Sequence, residues 1–360
     1  MADYVVAMSG GVDSSVAAAL LQKQGHNIIG ITLQIWPAGN DNPQQQGCCS
    51  VSAIDDARRV AQKLGIKFYV LNFRDKFQEK VIDYFINEYI AGRTPNPCIM
   101  CNRKIKFGHL LDQARRMGAD FLATGHYARI DRDESGRIRL LKGVDQEKDQ
   151  SYALYNLHPE QLKLIDFPLG GLEKEKTREL AREFDLPVAA KGESQEICFV
   201  PDDDHGNFIA QRQPEGVRPG KIVDENGNEV GCHKGLPYYT VGQRRGLGLA
   251  MGYPVYVKEI RAEENEIVVG PRESISSRGL IARDLNWTTG QKPRESLSVE
   301  IKIRYNAPPV AGTIIPHQDR VEAIFSKPVP AVTPGQSAVF YRGEEVLGGG
   351  IIQSPLAVEE

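Results

Sequence analysis

The stretch Ser9-Gly10-Gly11-Val12-Asp13-Ser14-Ser15 decides the fold of the N-terminal half of this chain. It follows the apolar run Tyr4–Met8, which predicts a buried strand, and it opens the stretch Ser14–Gln24, where Ala, Val and Leu recur at helical spacing. Glycines at a strand-to-helix junction permit a tight turn. Successive backbone N–H groups and the helix N-terminus then face an anion, so the sequence predicts a phosphate-binding loop.

The residues of this loop exclude two common nucleotide motifs. It lacks the Gly-Lys-Ser/Thr ending that supplies a lysine to a γ-phosphate, and it lacks the spacing of a dinucleotide-binding glycine motif. Asp13 instead suggests that Mg²⁺ is held against the phosphates. The alternative is an ordinary glycine-rich turn with a capping Asp13.

Short apolar runs alternate with amphipathic stretches over the first two hundred residues. The predicted strands are Tyr4–Met8, Ile28–Leu33, Phe68–Leu71 and Phe121–Thr124, and the predicted helices are Ser14–Gln24, Ser52–Leu64, Asp75–Ile90 and Arg103–Met117. Such alternation is typical of a doubly wound parallel sheet covered by helices, the α/β class.

The chain becomes rich in β-strand signals after residue 203. Asn226-Gly227 lies between two short β-rich runs and predicts a hairpin. Farther along, Val299, Ile301 and Ile303 alternate with charged residues, as expected for a half-buried strand of a small barrel. We therefore expect a catalytic α/β domain over 1–203, a small β domain over 204–276 and a C-terminal β-barrel over 277–360.

Composition excludes several classes of protein. The 360 residues include 44 Lys and Arg against 47 Asp and Glu, a net charge of −3, so a polyanion partner must meet local basic patches. With 41% hydrophobic and 25% charged residues, the chain should fold in water, and no apolar run approaches the roughly 18 residues of a membrane span. We expect a cytoplasmic protein that contacts no membrane.

Six cysteines, in a reducing compartment, favour catalysis, metal binding or packing over structural disulfides. A working thiol needs cationic neighbours or a helix N-terminus. Cys101 has both, because the next helix is predicted to begin near Arg103, and the cations Arg103, Lys104 and Lys106 are close in sequence. Cys198 lies in a segment without periodicity, which suits a thiol on a mobile loop.

Two cysteines in such different settings can share sulfur transfer, one carrying a persulfide that the other attacks. The alternatives are buried packing cysteines, or a zinc or iron–sulfur site formed by Cys98, Cys101 and Cys198. A second C-x-x-C pair that would complete a four-thiolate site is missing from the sequence, so we predict no resident metal there.

At its glycine-rich loop the chain resembles the PP-loop ATP pyrophosphatase superfamily. Within it, the chain is similar to the family of tRNA thiolases that convert the wobble uridine to 2-thiouridine. Six further stretches carry this resemblance: Gly47-Cys48-Cys49-Ser50, Thr94-Pro95-Asn96-Pro97-Cys98-Ile99-Met100-Cys101-Asn102, Ala123-Thr124-Gly125-His126-Tyr127, Lys148-Asp149-Gln150-Ser151-Tyr152, Glu193-Ser194-Gln195-Glu196-Ile197-Cys198-Phe199 and Tyr239-Thr240-Val241-Gly242-Gln243-Arg244.

The resemblance implies the reaction, its cofactors and its site residues. ATP, with Mg²⁺, would be held by Ala7, Met8, Ser9, Gly10, Gly11, Val12, Asp13, Ser14, Leu33 and Gly125. Cys198 would take persulfide sulfur from a donor protein, a cysteine desulfurase or sulfur relay, and Cys101 would be the nucleophile that releases it. The tRNA would be contacted by Asn96, Pro97, Cys98, His126, Lys148, Asp149, Gln150, Arg304, Tyr305 and Gln336. The resemblance implies Asp at the position of Cys98, so we expect the thiol of Cys98 to be dispensable.

Local basic clusters agree with a polyanion partner, although each could also be a solvated surface. They are Arg103, Lys104, Lys106, Arg115 and Arg116; Arg244 and Arg245; and Lys302 and Arg304. Two rival functions remain at this level, a synthetase or amidotransferase of the same superfamily and a non-catalytic RNA-binding protein. We expect a monomeric enzyme acting on tRNA.

Overall fold

A computed structural model describes residues 1–35, 51–132, 134, 136–192 and 197–357. Its N-terminal part contains seven strands: β1 (Asp3–Ala7), β2 (Asn27–Gln34), β3 (Lys67–Asn72), β4 (Phe121–Ala123), β5 (Ala128–Arg132), β6 (Ile138–Lys142) and β7 (Ile165–Asp166). Five of them form a parallel sheet in the order β3-β2-β1-β4-β7. The four strands predicted from the sequence are therefore confirmed within one or two residues.

Helices cover this sheet on both faces. They are α1 (Val12–Lys23), α2 (Val51–Leu64), α3 (74–90, with a π-helical turn at Gln78–Ile82), α4 (97–116, π-helical over Cys101–Leu110), α5 (Pro159–Leu162), α6 (Lys174–Glu183) and α7 (His205–Arg212). Short 3₁₀ turns lie at Ser151–Leu154, Pro201–Asp203, Pro214–Gly216, Leu236–Tyr238 and Glu273–Ile275. Within the described residues, no helix has both the length and the apolar character needed to cross a bilayer.

Successive side chains of the central strand β1 pack into two separate hydrophobic cores. Val5 packs into a core with α3 and α4, whereas its neighbours Tyr4 and Val6 pack into a second core with α1. Successive side chains of a strand point to opposite faces, and helices on both faces keep both sets dry. This double burial explains the continuous apolar run that predicts the strand.

Helix α4 begins earlier than the sequence predicts. The expected start near Arg103 is wrong, because the helical run opens at Pro97. Asn96 is the N-cap, and its side-chain oxygen accepts hydrogen bonds from the backbone N–H groups of Cys98 (3.1 Å) and Ile99 (3.2 Å). Proline at the first helical position is preorganised for the helix, and Asn is among the best N-caps.

The central part forms a four-stranded sheet from β8 (Gly220–Val223), β9 (Glu229–His233), β10 (Tyr256–Arg261) and β11 (Glu266–Gly270). The order is β10-β11-β8-β9, and β8 pairs in parallel only with β11. Gly227 has φ +84° in the turn between β8 and β9, a conformation that suits glycine. The hairpin predicted at Asn226-Gly227 is confirmed.

Six strands close into a C-terminal antiparallel barrel: β12 (Ser276–Trp287), β13 (Leu297–Lys302), β14 (Val310–Pro316), β15 (Val321–Pro330), β16 (Ser337–Arg342) and β17 (Glu345–Ala357). The order is β12-β15-β14-β13-β16-β17, and pairing of β12 with β17 completes the ring. Val299, Ile301 and Ile303 point into the barrel core, as their alternation predicts.

The N-terminal part also contributes to the barrel sheet. The hairpin β5–β6 joins it through pairing of Leu141 with Glu345. Tyr152 donates a hydrogen bond to the carbonyl of Ser337 (2.9 Å), and the Tyr155 hydroxyl lies 3.0 Å from Ser337 Oγ. A single core thus spans the first and third parts of the molecule.

All three parts of the molecule meet around Thr94. We call Thr94 and its partners Thr240, Pro334 and Gln336 the Thr94 junction. Thr94 donates its backbone N–H to the carbonyl of Pro334 (2.9 Å) and accepts a hydrogen bond from Gln336 Nε2 (2.8 Å). Its hydroxyl lies 3.3 Å from that of Thr240 in the central part. The junction therefore fixes the chain two residues before the N-cap of α4.

Candidate nucleotide and cysteine site

The glycine-rich loop leaves β1 at Ala7 and enters α1 at Val12. Gly10 adopts φ +70°, and a Cβ there would lie 2.1 Å from the backbone carbonyl oxygen of Ala53. Gly11 is the N-cap of α1 and offers no side chain to cap the helix. The first turn of α1 therefore presents backbone N–H groups beside a glycine, as an anion-binding site requires.

Serine hydroxyls brace this loop from within. Ser14 Oγ accepts a hydrogen bond from the backbone N–H of Ser9 (3.1 Å) and donates one to the carbonyl of Gly11 (3.2 Å). Ser15 Oγ donates to the same carbonyl at 2.8 Å. These bonds fix the backbone from within the loop, so little ordering is needed when an anion binds.

Asp13 meets a lysine that sequence analysis missed. Lys174, at the start of α6, is 7% exposed, and its Nζ lies 2.8 and 2.9 Å from the two carboxylate oxygens of Asp13. Tyr127 donates a further hydrogen bond to Asp13 at 2.9 Å. The loop thus has its own cation, which is supplied from a distant helix instead of from the loop sequence.

No local signal distinguishes Lys174 in the sequence. It lies in the alternating run Glu173-Lys174-Glu175-Lys176, which is typical of a solvated helix surface. Burial beside Asp13 separates it from Lys176, which is exposed and pairs with Glu179. The signal that identifies it is three-dimensional.

The dipeptide Gly125-His126 connects the loop to the cysteine helix. A Cβ at Gly125 would lie 2.7 Å from the backbone of Asp13 and Ser14, so only glycine fits against the loop. The next residue, His126, packs its ring 5.7 Å from that of Phe107 in α4. The predicted nucleotide loop and the helix that carries Cys101 are therefore neighbours.

The surroundings of His126 favour the neutral form of its imidazole ring. Burial lowers the pKa of its ring well below the usual range, and the charge of Lys106 lowers that pKa further. Thr124 Oγ1 lies 2.5 Å from His126 Nδ1 and fixes the ring. Any contact that His126 makes with a substrate is therefore one of hydrogen bonding or packing and not of charge.

Further residues of the predicted ATP site lie at the same edge of the sheet. Met8 and Leu33 are buried. The Thr32 hydroxyl donates to the carbonyl of Met8 at 2.7 Å, which joins the ends of β1 and β2. Ligands of open parallel sheets bind at the carboxyl ends of the strands, where Ala7 and Leu33 lie.

The two key cysteines border one hydrophobic core. Cys101 is half-buried in α4, and Cys198 is half-buried next to Phe199, whose ring packs 5.7 Å from Phe77 and 5.2 Å from Phe85 in α3. Cys98 is exposed at the start of α4. Cys101 is the fifth residue of the helical run that begins at Pro97, so the expectation that it precedes a helix N-terminus is wrong.

Arg103, two residues after Cys101, is paired with a carboxylate of the barrel. Arg103 forms a two-pronged ion pair with Asp284 of β12, which lowers the pKa of that carboxyl. The pair joins α4 to the barrel and neutralises the positive charge that was expected to activate Cys101. Lys104 and Lys106 remain as the nearby cations in sequence.

The predicted tRNA contacts divide into internal and surface residues. Asp149 is buried and accepts hydrogen bonds from the backbone N–H groups of Gly143 and Ser151. Gln150 bonds the backbone of Tyr127, and Gln336 bonds Thr94. By contrast, Tyr305 is exposed, and Lys302 lies 5.5 Å from its ring centre. The remaining predicted contacts are Pro97, which is buried, and Lys148 and Arg304, which are half-buried.

Two predicted motifs cannot be placed. Cys48 and Cys49 lie outside the described residues, as do residues 193–196 of the stretch that precedes Cys198. Among the residues that the structure does describe, no three His, Cys, Asp or Glu side chains come together as metal ligands would.

Comparison with known proteins agrees with this three-part architecture. A family model described as the tRNA methyl transferase HUP domain matches residues 2–202, one described as the tRNA methyl transferase PRC-barrel domain matches 206–271, and one described as the aminomethyltransferase beta-barrel domain matches 277–352. The fold and loop thus define a HUP-domain protein followed by two β domains.

The particular family follows from whole-chain similarity. A protein of Clostridium perfringens named tRNA-specific 2-thiouridylase MnmA is 53% identical over 98% of both chains, and one of the same name from Heliobacterium modesticaldum is 54% identical over 97% of this chain and 91% of its own. This chain belongs to the tRNA-specific 2-thiouridylase family. A solved 4-thiouridine synthetase–RNA complex with bound ATP is 18% identical, with a TM-score of 0.35, over 60% of this chain and 51% of its own.

Proposed function

We propose that this protein is an ATP-dependent tRNA 2-thiouridylase that replaces O2 of the wobble uridine by sulfur. The observation that carries the proposal is the bridge formed by Gly125 and His126. It joins an anion-binding loop to the helix of a candidate catalytic thiol. Membership of the 2-thiouridylase family supports the same assignment.

The first step activates the base. The uridine O2 attacks the α-phosphorus of ATP, pyrophosphate leaves, and O2 carries AMP. The N–H groups at the start of α1 would bind the phosphates, with Leu33 and Gly125 beside the adenine and ribose. The loop suits a phosphate, because Gly11 is the N-cap of α1 and no side chain caps the N–H groups of its first turn.

Sulfur replaces the activated oxygen in the second step. The terminal sulfur of a Cys198 persulfide bonds to C2, and the C2–O bond breaks to release AMP. The Cys101 thiolate then attacks Cys198 Sγ, which frees the sulfur on C2 and leaves a Cys101–Cys198 disulfide. An external thiol reduces that disulfide, and a persulfide donor protein such as a cysteine desulfurase or sulfur relay reloads Cys198.

Asp13 and Lys174 would together neutralise the negative charge of the phosphates, Asp13 through a bound cation and Lys174 directly. When Mg²⁺ is bound, it would neutralise phosphate charge, with Asp13 as its carboxylate ligand. Lys174 Nζ lies 2.8 and 2.9 Å from the two Asp13 oxygens, so its positive charge would act on the departing pyrophosphate from beside the loop. Both residues would then act on the adenylation step.

Two further assignments belong to this proposal. Asn96, Pro97 and Cys98 would lie against the target base, while His126, Lys148–Gln150, Arg304, Tyr305 and Gln336 would form or support the tRNA surface. The divisions 1–203, 204–276 and 277–360 would be the catalytic, central and barrel domains of a monomer. The sheets on either side of residues 204 and 276 support these divisions.

The decisive test is mass spectrometry of tRNA nucleosides after incubation with ATP, Mg²⁺ and sulfide. We expect 2-thiouridine and AMP from the wild-type protein, and neither pyrophosphate nor 2-thiouridine from Asp13→Asn. Pyrophosphate release that does not depend on tRNA would favour another synthetase. Failure to bind ATP at all would favour a non-catalytic RNA-binding protein.

The cysteine chemistry needs a separate experiment with a persulfide donor. Cys101→Ser and Cys198→Ser should each stop persulfide-dependent thiolation yet retain tRNA-dependent pyrophosphate release, because neither thiol attacks phosphorus. Cys98→Asp should keep substantial activity. Activity that appears only after iron reconstitution of a metal-chelated preparation would overturn the dithiol scheme in favour of an iron–sulfur enzyme.

A further inference from the structure

Lys191 contacts the backbone of the nucleotide loop at Gly10. Its Nζ donates a hydrogen bond to the carbonyl of Gly10 at 3.0 Å and pairs with Asp56 Oδ2 at 2.7 Å. Asp56, in α2, is also held by Arg59. The lysine therefore joins the loop to a carboxylate that is fixed on a neighbouring helix.

The bond to Gly10 controls the orientation of one peptide unit. In a trans peptide, the carbonyl of Gly10 and the N–H of Gly11 point in opposite directions, because the unit is planar. Holding the carbonyl toward Lys191 therefore turns the N–H of Gly11 away from Lys191. Glycine at both positions would otherwise make this peptide easy to rotate, since glycine has access to both signs of φ.

We propose that Lys191 is a positioning residue that sets the Gly10–Gly11 peptide so that its N–H faces the phosphates. Lys191 acts on the loop backbone, because its Nζ is shared between the carbonyl of Gly10 and the carboxylate of Asp56. This role is distinct from that of Lys174, which pairs with Asp13 within the loop. The inference rests on the proposed use of ATP.

Lys191→Met should raise the KM for ATP and the inhibition constant of pyrophosphate by about ten-fold, as expected for loss of one charge-assisted hydrogen bond. The kcat of tRNA-dependent pyrophosphate release and the KM for tRNA should be unchanged, because no reacting atom is touched. Lys191→Arg retains donors on a long side chain and should restore most of the affinity for ATP.

Lys63→Met is the matched control. Lys63 has a similar exposure to Lys191 (43% and 39% for the side chains) and also pairs with a single carboxylate, that of Asp185. Like the Lys191–Asp56 pair, the Lys63–Asp185 pair joins α2 to the segment that follows α6, but Lys63 makes no hydrogen bond to the glycine-rich loop within the described part of the chain. We expect wild-type constants for ATP and pyrophosphate from this variant.

Asp56→Asn separates positioning from direct phosphate binding. If Lys191 positions the peptide, loss of its anchor should raise the KM for ATP two- to three-fold, about 0.4–0.7 kcal/mol. A fall in the KM for ATP would mean that the released lysine binds phosphate directly, and it would overturn the proposal. An unchanged KM for ATP in Lys191→Met would also overturn it, whereas an inactive wild-type protein would instead refute the proposed function.

Discussion

Lys174 illustrates how one buried residue changes the chemistry expected of the loop. Replacing it by methionine removes the cation beside Asp13 and leaves this half-buried carboxylate with its hydrogen bond from Tyr127. We expect pyrophosphate release to fall at least 10²-fold, the order seen when a preorganised electrostatic group is lost.

The natural control for this prediction lies two residues away. Lys176 is on the same helix, is exposed and pairs with Glu179. Lys176→Met should release pyrophosphate at the wild-type rate and unfold at the same urea concentration. Equal losses in both variants would show that the helix, and not the contact with Asp13, matters.

The state of His126 can be tested by titration. Because burial and Lys106 lower its pKa well below the usual range, its ring signals should not move in NMR spectra between about pH 8 and pH 6. A folded-state pKa below the unfolded one also means that the free energy of unfolding falls as pH drops below about 6.5. His126→Gln should reduce that acid sensitivity, and a ring that titrates near pH 6.5 would contradict the placement.

Residue-level prediction from sequence succeeds where the signal is local. The loop Ser9–Ser15 has its strand, its glycines and its helix within twenty residues, so backbone geometry alone indicates an anion site. Lys174 contacts Asp13 across 161 residues of sequence, and Asp284 contacts Arg103 across 181. No local sequence pattern predicts either contact. One adds a charge to the site and the other removes one.

At the scale of secondary-structure elements, the start of α4 controls where Cys98 and Cys101 lie. Asn96→Ala removes the acceptor for two backbone N–H groups and should lower the free energy of unfolding by about 1 kcal/mol in urea titrations. Asn96→Ser keeps an N-cap and should recover most of that stability.

The same pair of variants separates capping from contact with the target base. If Asn96 acts only as a cap, Asn96→Ser should recover thiolation together with stability. If Asn96 also contacts the base, Asn96→Ser should be stable but should have a raised KM for tRNA. Full stability of Asn96→Ala would contradict the capping role.

Elements with a strong apolar pattern are predictable, and those held together by charge are not. Four of the five parallel strands, β1 to β4, are predicted from their apolar runs, whereas the two-residue strand β7 is too short to show a pattern. The hairpin β5–β6 was not predicted: half of its ten residues are charged, and cross-strand contacts such as that of Arg139 with Asp131 contribute to holding it. Alternation of apolar residues carries little information about such a hairpin.

For the whole molecule, the shared core predicts coupled unfolding. Tyr152 and Tyr155 are buried and bond Ser337 of β16, so the barrel cannot unfold without exposing the N-terminal core. In a Trp36→Phe background, fluorescence of Trp287 in β12 and the circular dichroism of the helices should change at the same urea concentration.

Two resolved transitions would show that the barrel is an independent unit. Coincident transitions would also mean that removal of the residues after 276 destroys the fold, so the contribution of the barrel to RNA binding should be measured with point variants. Lys302→Gln and Arg304→Gln are suitable, because each removes one cation beside Tyr305.

The Thr94 junction has a consequence for the order in which the protein is made. Gln336 follows Thr94 by 242 residues, so a ribosome adding about 5–20 residues per second needs roughly 10–50 s to supply the second partner after the first. Throughout that interval the glycine-rich loop and both cysteines of α4 already exist, while the barrel segment that fixes the entry to α4 does not. Translation itself therefore delays assembly of the cysteine helix, and we expect a nascent chain to acquire thiolating activity only as its last strands emerge.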